Sequence, residues 1–155
     1  MAMRIALERP DRADVAALID ALDAYQRPLY PPESHHGIDI DALLHPQVLF
    51  AVLRDDTGAA IGCGAVVLGH GIGELKRMFV LPAHRGHGRA ARLLAFLEAQ
   101  ALARGCTELA LETGAKQAEA IALYARAGYE PCGPFGGYAE DPHSVFMRKT
   151  MAAAA

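Results

Sequence analysis

A strand pattern that runs through a glycine-containing turn into an amphipathic helix limits the folds open to this chain more than any other feature. The strand pattern covers residues 74–81, and the turn after it has glycines at positions 86 and 88. The helical pattern then places four apolar residues on one stripe, namely Leu93, Leu94, Leu97 and Ala101. Gly105 stands where a glycine commonly ends a helix, and another strand pattern follows at residues 107–113. This order predicts a parallel strand–helix–strand unit.

The rest of the sequence completes an α/β domain. Val15, Leu18, Ile19 and Leu22 recur at helical spacing, and Pro28 prevents that helix from continuing. The predicted elements, in chain order, are a strand at 3–8, helices at 10–26 and 38–44, strands at 48–53, 60–68 and 74–81, a helix at 86–104, a strand at 107–113, a helix at 116–127, and strands at 129–132 and 144–149. The fold class is therefore α/β, with a mixed central sheet, the order β-α-α-β-β-β-α-β-α-β-β and helices on both faces. We expect one domain over residues 1–150 and a short tail at 151–155.

Composition argues against several classes of function. The net charge of −3 comes with no basic run, which argues against nucleic-acid binding. No apolar run approaches the roughly 20 residues that span a bilayer, so we expect no membrane segment. The cysteines Cys63, Cys106 and Cys132 are odd in number and widely spaced, which favours a reducing, cytoplasmic location over a disulfide framework. The glycines on either side of Cys63 indicate a bulge or close packing rather than a nucleophile. No metal site is predicted, because the His, Cys and acidic residues lack the spacing of ligands.

The turn between residues 85 and 90 has the chemistry of a phosphate site. Gly86, Gly88 and Ala90 lack bulky side chains, so a diphosphate could approach the backbone N–H groups at the start of the helix. The helix dipole favours an anion there, and Arg85 and Arg89 could add charge-assisted contacts. The glycines could also form a simple strand-to-helix turn. Two competing motifs fail, since the dinucleotide fingerprint lacks its third glycine and no Gly-Lys-Ser/Thr sequence is present.

The helix at 116–127 has a face that suits a bound cofactor. Five residues share this face, namely Gln117, Ala120, Ile121, Tyr124 and Ala125. Its small side chains leave room for a ligand, and the Tyr124 hydroxyl would project toward it. A tyrosine on a mostly apolar face is also a common core residue, so this pattern alone leaves both interpretations open.

Both segments resemble the GNAT superfamily of N-acetyltransferases. Residues 85–90 match its pyrophosphate loop, Arg/Gln-x-x-Gly-x-Gly/Ala. Residues 117–129 resemble its Asn-x-x-Ala-x-x-x-Tyr-x-x-x-Gly-Phe/Tyr segment, with Gln117 in place of the asparagine. The resemblance implies a GNAT-type fold and acetyl-CoA (acetyl-coenzyme A) as the cofactor, in a cleft where the strands at 74–81 and 107–113 splay apart. It also implies these cofactor-binding residues: Met78, Phe79, Val80, Arg85, Gly86, His87, Gly88, Arg89, Ala90, Gln117, Ala120 and Tyr124.

The resemblance also implies the catalytic groups. Direct transfer of an acetyl group to an amine needs a base for the ammonium, donors for the oxyanion and an acid for the sulfur. Tyr124 is the expected acid, and Glu74 is the expected base, acting directly or through a water. Glu112 on the next strand is the other candidate base, and the backbone N–H of Phe79 or Val80 is the expected oxyanion donor. Glu74 could instead be a solvated carboxylate or the ion-pair partner of Lys76 or Arg77.

Residues that bind the acceptor are expected from the segment after the first helix and from the C-terminal loop. The first segment supplies Tyr25, Arg27, Tyr30, His35 and His36, and the second supplies Phe135, Tyr138, Asp141 and His143. The predicted substrate residues are Arg27, Tyr30, Arg77, Glu112 and Tyr138. If Arg27 and Arg77 both face the pocket, they could hold a carboxylate, and the acceptor would be an amino acid or a related anionic amine.

The sequence thus predicts an acyltransferase that moves an acetyl group from acetyl-CoA to a primary amine of a small molecule, by direct attack in a ternary complex. Two alternatives stay open: acetylation of a protein or peptide amine, and a non-catalytic module that binds acyl-coenzyme A as a sensor. The bulky segment at 27–37 indicates a covered pocket, which favours a small acceptor over a peptide. The expected partner is a small-molecule amine, with no nucleic acid and no membrane, and a homodimer is left open.

Overall fold

The computed structural model describes residues 3–34, 39–69 and 71–151 of the chain. Its strands are β1 (Arg4–Leu7), β2 (Val48–Arg54), β3 (Ala60–Leu68), β4 (Ile72–Val80), β5 (Glu108–Gly114), β6 (Glu130–Cys132) and β7 (Ser144–Thr150). Its helices are α1 (Ala13–Gln26), α2 (Ile40–Leu43), α3 (Arg89–Ala103) and α4 (Ala118–Arg126), with short 3-10 turns at Pro32–Ser34 and Pro82–His84. The predicted order of strands and α-helices is confirmed, and the two 3-10 turns are additions to it.

One seven-stranded sheet carries the fold, in the order β1-β2-β3-β4-β5-β7-β6. Neighbouring strands run antiparallel except β4 and β5, which form the predicted parallel pair. That ladder joins residues 72–75 to residues 108–111 and goes no further. Beyond it, β5 continues to pair with β7 and β4 continues to pair with β3. A wedge-shaped cleft therefore opens between residues 76–80 and residues 112–114.

An extra residue in β4 directs this strand away from β5. The register between β3 and β4 shifts between Cys63 and Ala65, where β4 has one residue more than β3. Arg77 lies in this bulge with a φ of 59°, in the left-handed region that residues with a side chain seldom adopt. Gly64 faces the bulge, and a Cβ there would lie 2.4 Å from the Met78 Sδ. The glycines around Cys63 thus mark a bulge and close packing, as their pattern predicted.

Helices cover both faces of the sheet, and α1 and α3 each bury the apolar stripe that the sequence predicted. The stripe of α3 belongs to one core cluster, and the stripe of α1 belongs to a second cluster on the other face. Met151, which was expected to begin a tail, is instead 7% exposed and packs in the α3 cluster. Its N–H donates a hydrogen bond to the Thr107 oxygen at 2.7 Å. The packed structure therefore extends through Met151, while residues 152–155 lie outside the described residues.

A buried tyrosine joins the end of β5 to the segment that follows α1. The Tyr30 hydroxyl accepts a hydrogen bond from the Lys116 N–H at 3.1 Å, and the residue is 9% exposed. Gly114 lies directly against this hydroxyl, because a Cβ there would be 1.8 Å from the hydroxyl oxygen. The position of Tyr30 therefore depends on residue 114 being a glycine.

We expect Gly114→Ala to displace Tyr30 and to lower the free energy of unfolding by about 1–3 kcal/mol, the usual cost of overpacking a buried site. Gly133→Ala is a matched control, since a Cβ there would meet nothing within 4 Å. Urea unfolding of both variants measures the effect. An unfolding midpoint for Gly114→Ala equal to that of the control would contradict the close packing of Tyr30.

Candidate active site

The wedge between β4 and β5 contains a cavity of about 80 Å³. The predicted site residues that line it are Met78, Gln117, Ala120 and Tyr124 from the cofactor set, Tyr30, Arg77 and Glu112 from the substrate set, and the expected acceptor residue His143. Lys76 lines it as well. Glu74 and Tyr138 do not line it, although both contact Lys76. Arg27 is exposed and also lies outside the lining.

The turn before α3 has unpaired backbone donors, as a phosphate site requires. Gly86, His87 and Gly88 have φ values of 87°, 65° and 69°, so the backbone is left-handed for these residues until the helix begins at Arg89. Within the described residues, no acceptor binds the N–H groups of residues 86–91. These donors lie at the positive end of the α3 dipole. A Cβ at Gly86 or Gly88 would meet nothing within 4 Å, so the space beside the loop is open. The loop therefore fits a diphosphate.

The two arginines of this loop contact protein groups. The Arg85 Nε donates a hydrogen bond to the Val80 oxygen at 2.8 Å, and its guanidinium carbon lies 5.0 Å from the centre of the Tyr25 ring. The Arg89 Nη1 donates to the His84 oxygen at 3.0 Å. The Arg89 Nε is buried and has no hydrogen-bond partner among the described residues. Arg85 thus joins the loop to α1, and the expected contacts of both arginines with phosphate stay predictions.

β4 has a free backbone edge beyond Leu75, because β5 no longer pairs with it there. On the opposite edge, the Leu81 N–H donates a hydrogen bond to the Ile61 oxygen of β3. Because backbone direction alternates along a strand, Phe79 also directs its N–H and C=O toward β3. Val80 directs its own toward the cleft, where its N–H is free within the described residues and its oxygen accepts the hydrogen bond from Arg85. An extended ligand could pair with the free edge as an added strand.

Tyr124 lies in the middle of α4 and lines the cavity. It is 6% exposed, its ring centre lies 5.8 Å from that of Tyr129, and no described residue forms a hydrogen bond with its hydroxyl. Burial raises the pKa of Tyr124, so its phenol stays protonated and can donate a hydrogen bond at neutral pH. Gln117 stands at the start of the same helix, where its Oε1 accepts from the Gly114 N–H at 3.1 Å. The side chain of Gln117 thus anchors α4 to the end of β5.

Glu74, Lys76 and Tyr138 form a closed polar cluster beside the cavity. The Tyr138 hydroxyl donates to the Glu74 Oε2 at 2.5 Å. The Lys76 Nζ lies 3.1 Å from this carboxylate oxygen and donates to the Tyr138 hydroxyl at 2.7 Å. Burial and the hydrogen bond to Glu74 raise the pKa of Tyr138, so its phenol is neutral. The rings of Phe135 and Phe146 pack against it, with centres 5.2 and 5.5 Å away, and hold the phenol in place.

Charged side chains from both strands line the cavity. The Glu112 Oε2 of β5 accepts a hydrogen bond from the Ser144 Oγ at 2.7 Å. The Arg77 side chain of β4 is 8% exposed and forms an ion pair with Asp23 of α1. The structure does not bring Arg27 and Arg77 together in the lining, so the carboxylate clamp that depended on both is not formed.

Two loops are joined across the acceptor side of the cleft. The Ser34 Oγ donates a hydrogen bond to the Asp141 Oδ2 at 2.7 Å, which links the segment after α1 to the loop between β6 and β7. Tyr30 and His143 reinforce this link, with ring centres 6.3 Å apart. The predicted acceptor residues His35 and His36 lie outside the described residues. Tyr30, Ser34 and His143 line the cavity, so the described parts of both loops form one of its walls.

The sequence predicted Lys76 only as an alternative ion-pair partner of Glu74, a pair that the structure contains, and it did not place Asp23 or Ser144 in the site. Lys76 follows Glu74 at a spacing of two, so strand alternation could have indicated that both share one face of β4. Asp23 and Ser144 reach the site only because α1 and β7 pack there. No spacing in the sequence signals that packing.

A larger concavity, of about 640 Å³, lies at the far edge of the sheet beside β1. Arg54 in its lining binds Glu8 and Asp14, with nitrogen–oxygen distances of 2.8 and 2.7 Å. These charges pair with one another, whereas the cleft combines unpaired backbone donors with converging polar side chains. The chemistry therefore selects the smaller cavity as the candidate active site.

The described part of the chain contains no group of His, Cys, Asp and Glu side chains that could hold a metal ion. None of the described helices combines the length and the apolar character needed to cross a membrane.

Comparisons with known proteins agree with this geometry. The model of the Acetyltransferase (GNAT) family matches residues 16–129. The chain is 46% identical over 149 residues to an IAA acetyltransferase of Azospirillum brasilense, covering 95% of this chain and 97% of the relative. It is 37% identical over 124 residues to the uncharacterized N-acetyltransferase YsnE of Bacillus subtilis, covering 78% and 82%. The crystal structure of a candidate acyl-CoA N-acyltransferase from Klebsiella pneumoniae superposes with a TM-score of 0.83 at 42% identity, covering 97% and 98%.

We expect Gly86→Val to weaken the binding of coenzyme A at least tenfold, since a β-branched residue is strained at a positive φ and must distort the loop. Gly71→Val is the matched control, because Gly71 has a φ of 91° and equally open surroundings but lies in the turn before β4. Titration calorimetry with coenzyme A measures both affinities. Equal affinities for the two variants would contradict a role of the loop in binding.

Proposed function

The chain belongs to the GNAT acetyltransferase family and is an acyltransferase that uses acetyl-CoA, and we propose that it acetylates a primary amine of a small molecule by direct attack in a ternary complex. The observation that carries this proposal is the small cavity with two joined loops in its wall. The Ser34–Asp141 hydrogen bond joins two loops there, and the cavity of about 80 Å³ suits a small amine better than a polypeptide.

The donor side of the cleft supports the binding of acetyl-CoA. The unpaired N–H groups of residues 86–91 can hold its diphosphate, and the free edge of β4 can pair with its extended amide arm. When bound, acetyl-CoA supplies a thioester carbonyl as the electrophile. Of the two expected oxyanion donors, Phe79 and Val80, the backbone direction along β4 favours Val80.

The position of Tyr124 supports its role as the general acid. Tyr124 lies in the cavity lining, its phenol is protonated, and no described residue forms a hydrogen bond with its hydroxyl. A protonated phenol in this place can donate a proton to the departing thiolate. A module that only binds acyl-coenzyme A would have no need of such a donor.

Release of free thiol from acetyl-CoA across a panel of amines tests the proposal. The panel contains amino acids, polyamines, aminoglycosides and short peptides, together with IAA, which the name of the Azospirillum relative gives. Turnover with one class of small amines is the expected result. Turnover with peptides alone would establish the protein or peptide alternative. Calorimetric binding of acetyl-CoA without turnover for any acceptor would favour the sensor.

We expect Tyr124→Phe to lower kcat by about 100-fold or more, the low end of what a general acid contributes, without changing the affinity for acetyl-CoA. Tyr129→Phe is the matched control, because its hydroxyl donates to Glu98 at 2.8 Å and lies outside the cavity lining. This control should lose stability and keep its kcat. Steady-state kinetics on both variants, with the accepted amine at saturation, provide the measurement. Equal kcat values for Tyr124→Phe and the wild type would remove Tyr124 from the chemistry.

A further inference from the structure

The two candidate bases stand on different sides of the point where β4 and β5 separate. Glu74 lies inside the parallel ladder, opposite Ala110. Leu75 and Leu111 form the last pair of that ladder, and Glu112 is the first residue of β5 beyond it. Glu112 lines the cavity and Glu74 does not. Of the two carboxylates, Glu112 is therefore the one placed to meet an acceptor.

Glu74 is already engaged by two donors. Its Oε2 accepts from the Tyr138 hydroxyl at 2.5 Å and lies 3.1 Å from the Lys76 Nζ. Both contacts occupy this carboxylate oxygen, so they would have to break before it could contact an acceptor ammonium. Lys76 contacts Glu74 and lines the cavity, whereas Glu74 does not line it. The arrangement suits a residue that holds Lys76 in place.

Lys76 and Glu112 are neighbours across the mouth of the cleft. They follow the last pair of the ladder on their respective strands, and both line the cavity. Opposite charges on neighbouring strands attract each other. The Lys76 ammonium is held by Glu74 and Tyr138. In this position it attracts the Glu112 carboxylate less strongly than it would after moving toward it.

We propose that Glu112 accepts the proton from the ammonium of the acceptor, and that Glu74 is a positioning residue that restrains Lys76. This inference rests on the proposed function, because it assigns the base of the same transfer. The Ser144 hydroxyl donates to the Glu112 Oε2 at 2.7 Å and orients the carboxylate.

The proton balance closes with these residues. The acceptor ammonium loses one proton to Glu112, which passes it to solvent. The nitrogen lone pair then forms the carbon–nitrogen bond as the carbon–sulfur bond breaks, and the electron pair of that bond stays on sulfur. Tyr124 gives its proton to this sulfur and regains one from the acylated nitrogen. The products are the amide, the free thiol and one proton in solution.

The test compares Glu112→Gln, Glu74→Gln, Lys76→Met and the double variant Glu74→Gln/Lys76→Met in the full chain, with the best amine of the panel at saturation. We expect kcat of Glu112→Gln at pH 7 to fall about 100-fold or more, as for loss of a general base. The kcat of Glu74→Gln should fall about tenfold, because the Lys76 ammonium is released from the carboxylate. The kcat of the double variant should return to within about threefold of that of Lys76→Met alone, because the double variant has no cation at position 76 to restrain.

The pH profile separates a base from a residue that only shapes the site. Without a base, only the neutral amine reacts, so kcat of Glu112→Gln should rise about tenfold per pH unit below the pKa of the acceptor. Glu74→Gln should keep the profile of the wild type, and Glu112→Asp should restore it because the carboxylate is retained. Calorimetry with coenzyme A checks that each variant keeps its donor site.

Three outcomes would overturn the inference. The first is a kcat of Glu112→Gln within tenfold of the wild type. The second is a fall in the kcat of Glu74→Gln that the added Lys76→Met substitution does not relieve. The third is a kcat of Glu74→Gln that rises tenfold per pH unit. Each of them requires an active wild type and leaves the proposed function intact. A wild type without amine-dependent release of thiol overturns the proposed function and the inference together.

Discussion

The separation of β4 from β5 is the constraint on which the whole site depends. If β4 kept a constant register with β3, it would also pair with β5 along its length. Neither the cleft nor its free backbone edge would then exist. The bulge at Arg77 prevents this, at a backbone strain on the order of 1–3 kcal/mol. The surrounding structure offsets the strain, since Asp23 pairs with the Arg77 guanidinium and Gly64 leaves room for Met78.

The donor half of the cleft is made almost entirely of backbone groups. The free edge of β4 and the N–H groups of residues 86–91 lie where the fold leaves hydrogen bonds unmade. Residues 86–88 are exposed, so water can reach their N–H groups, and a ligand with phosphate and amide groups would replace that water at donors already in place. Such a surface needs small residues at Gly86 and Gly88 and few particular side chains. It can therefore persist while the rest of the sequence changes.

This division explains which parts of the site could be predicted from the sequence. The loop at 85–90 was predictable because its backbone geometry demands glycine, and the helix that follows has a clear apolar stripe. The alternation of strand and helix patterns predicted the order of elements. Arg85 was expected at the phosphate, whereas its contacts with Val80 and Tyr25 depend on how α1 packs against β4. A single sequence carries no signal for that packing.

The acceptor half depends on contacts between residues far apart in the chain. Tyr138 reaches Glu74 across 64 positions, and Asp141 reaches Ser34 across 107. Spacing rules work within one strand or helix, so they could suggest that Glu74 and Lys76 share a face but not that Tyr138 joins them.

The charged side chains that line the cavity belong to the acceptor half and are separate from the backbone groups of the donor half. The two cations on β4, Lys76 and Arg77, are each bound by a carboxylate that lies outside the lining, Glu74 and Asp23 respectively. Their positive charge is therefore largely offset before an acceptor enters, and an incoming ammonium meets the lining carboxylate Glu112 without strong repulsion from β4. Changes at Lys76 or its partners would alter this balance without touching the backbone groups of the donor half. Relatives can thus share the fold and the donor while they differ in the amine they accept.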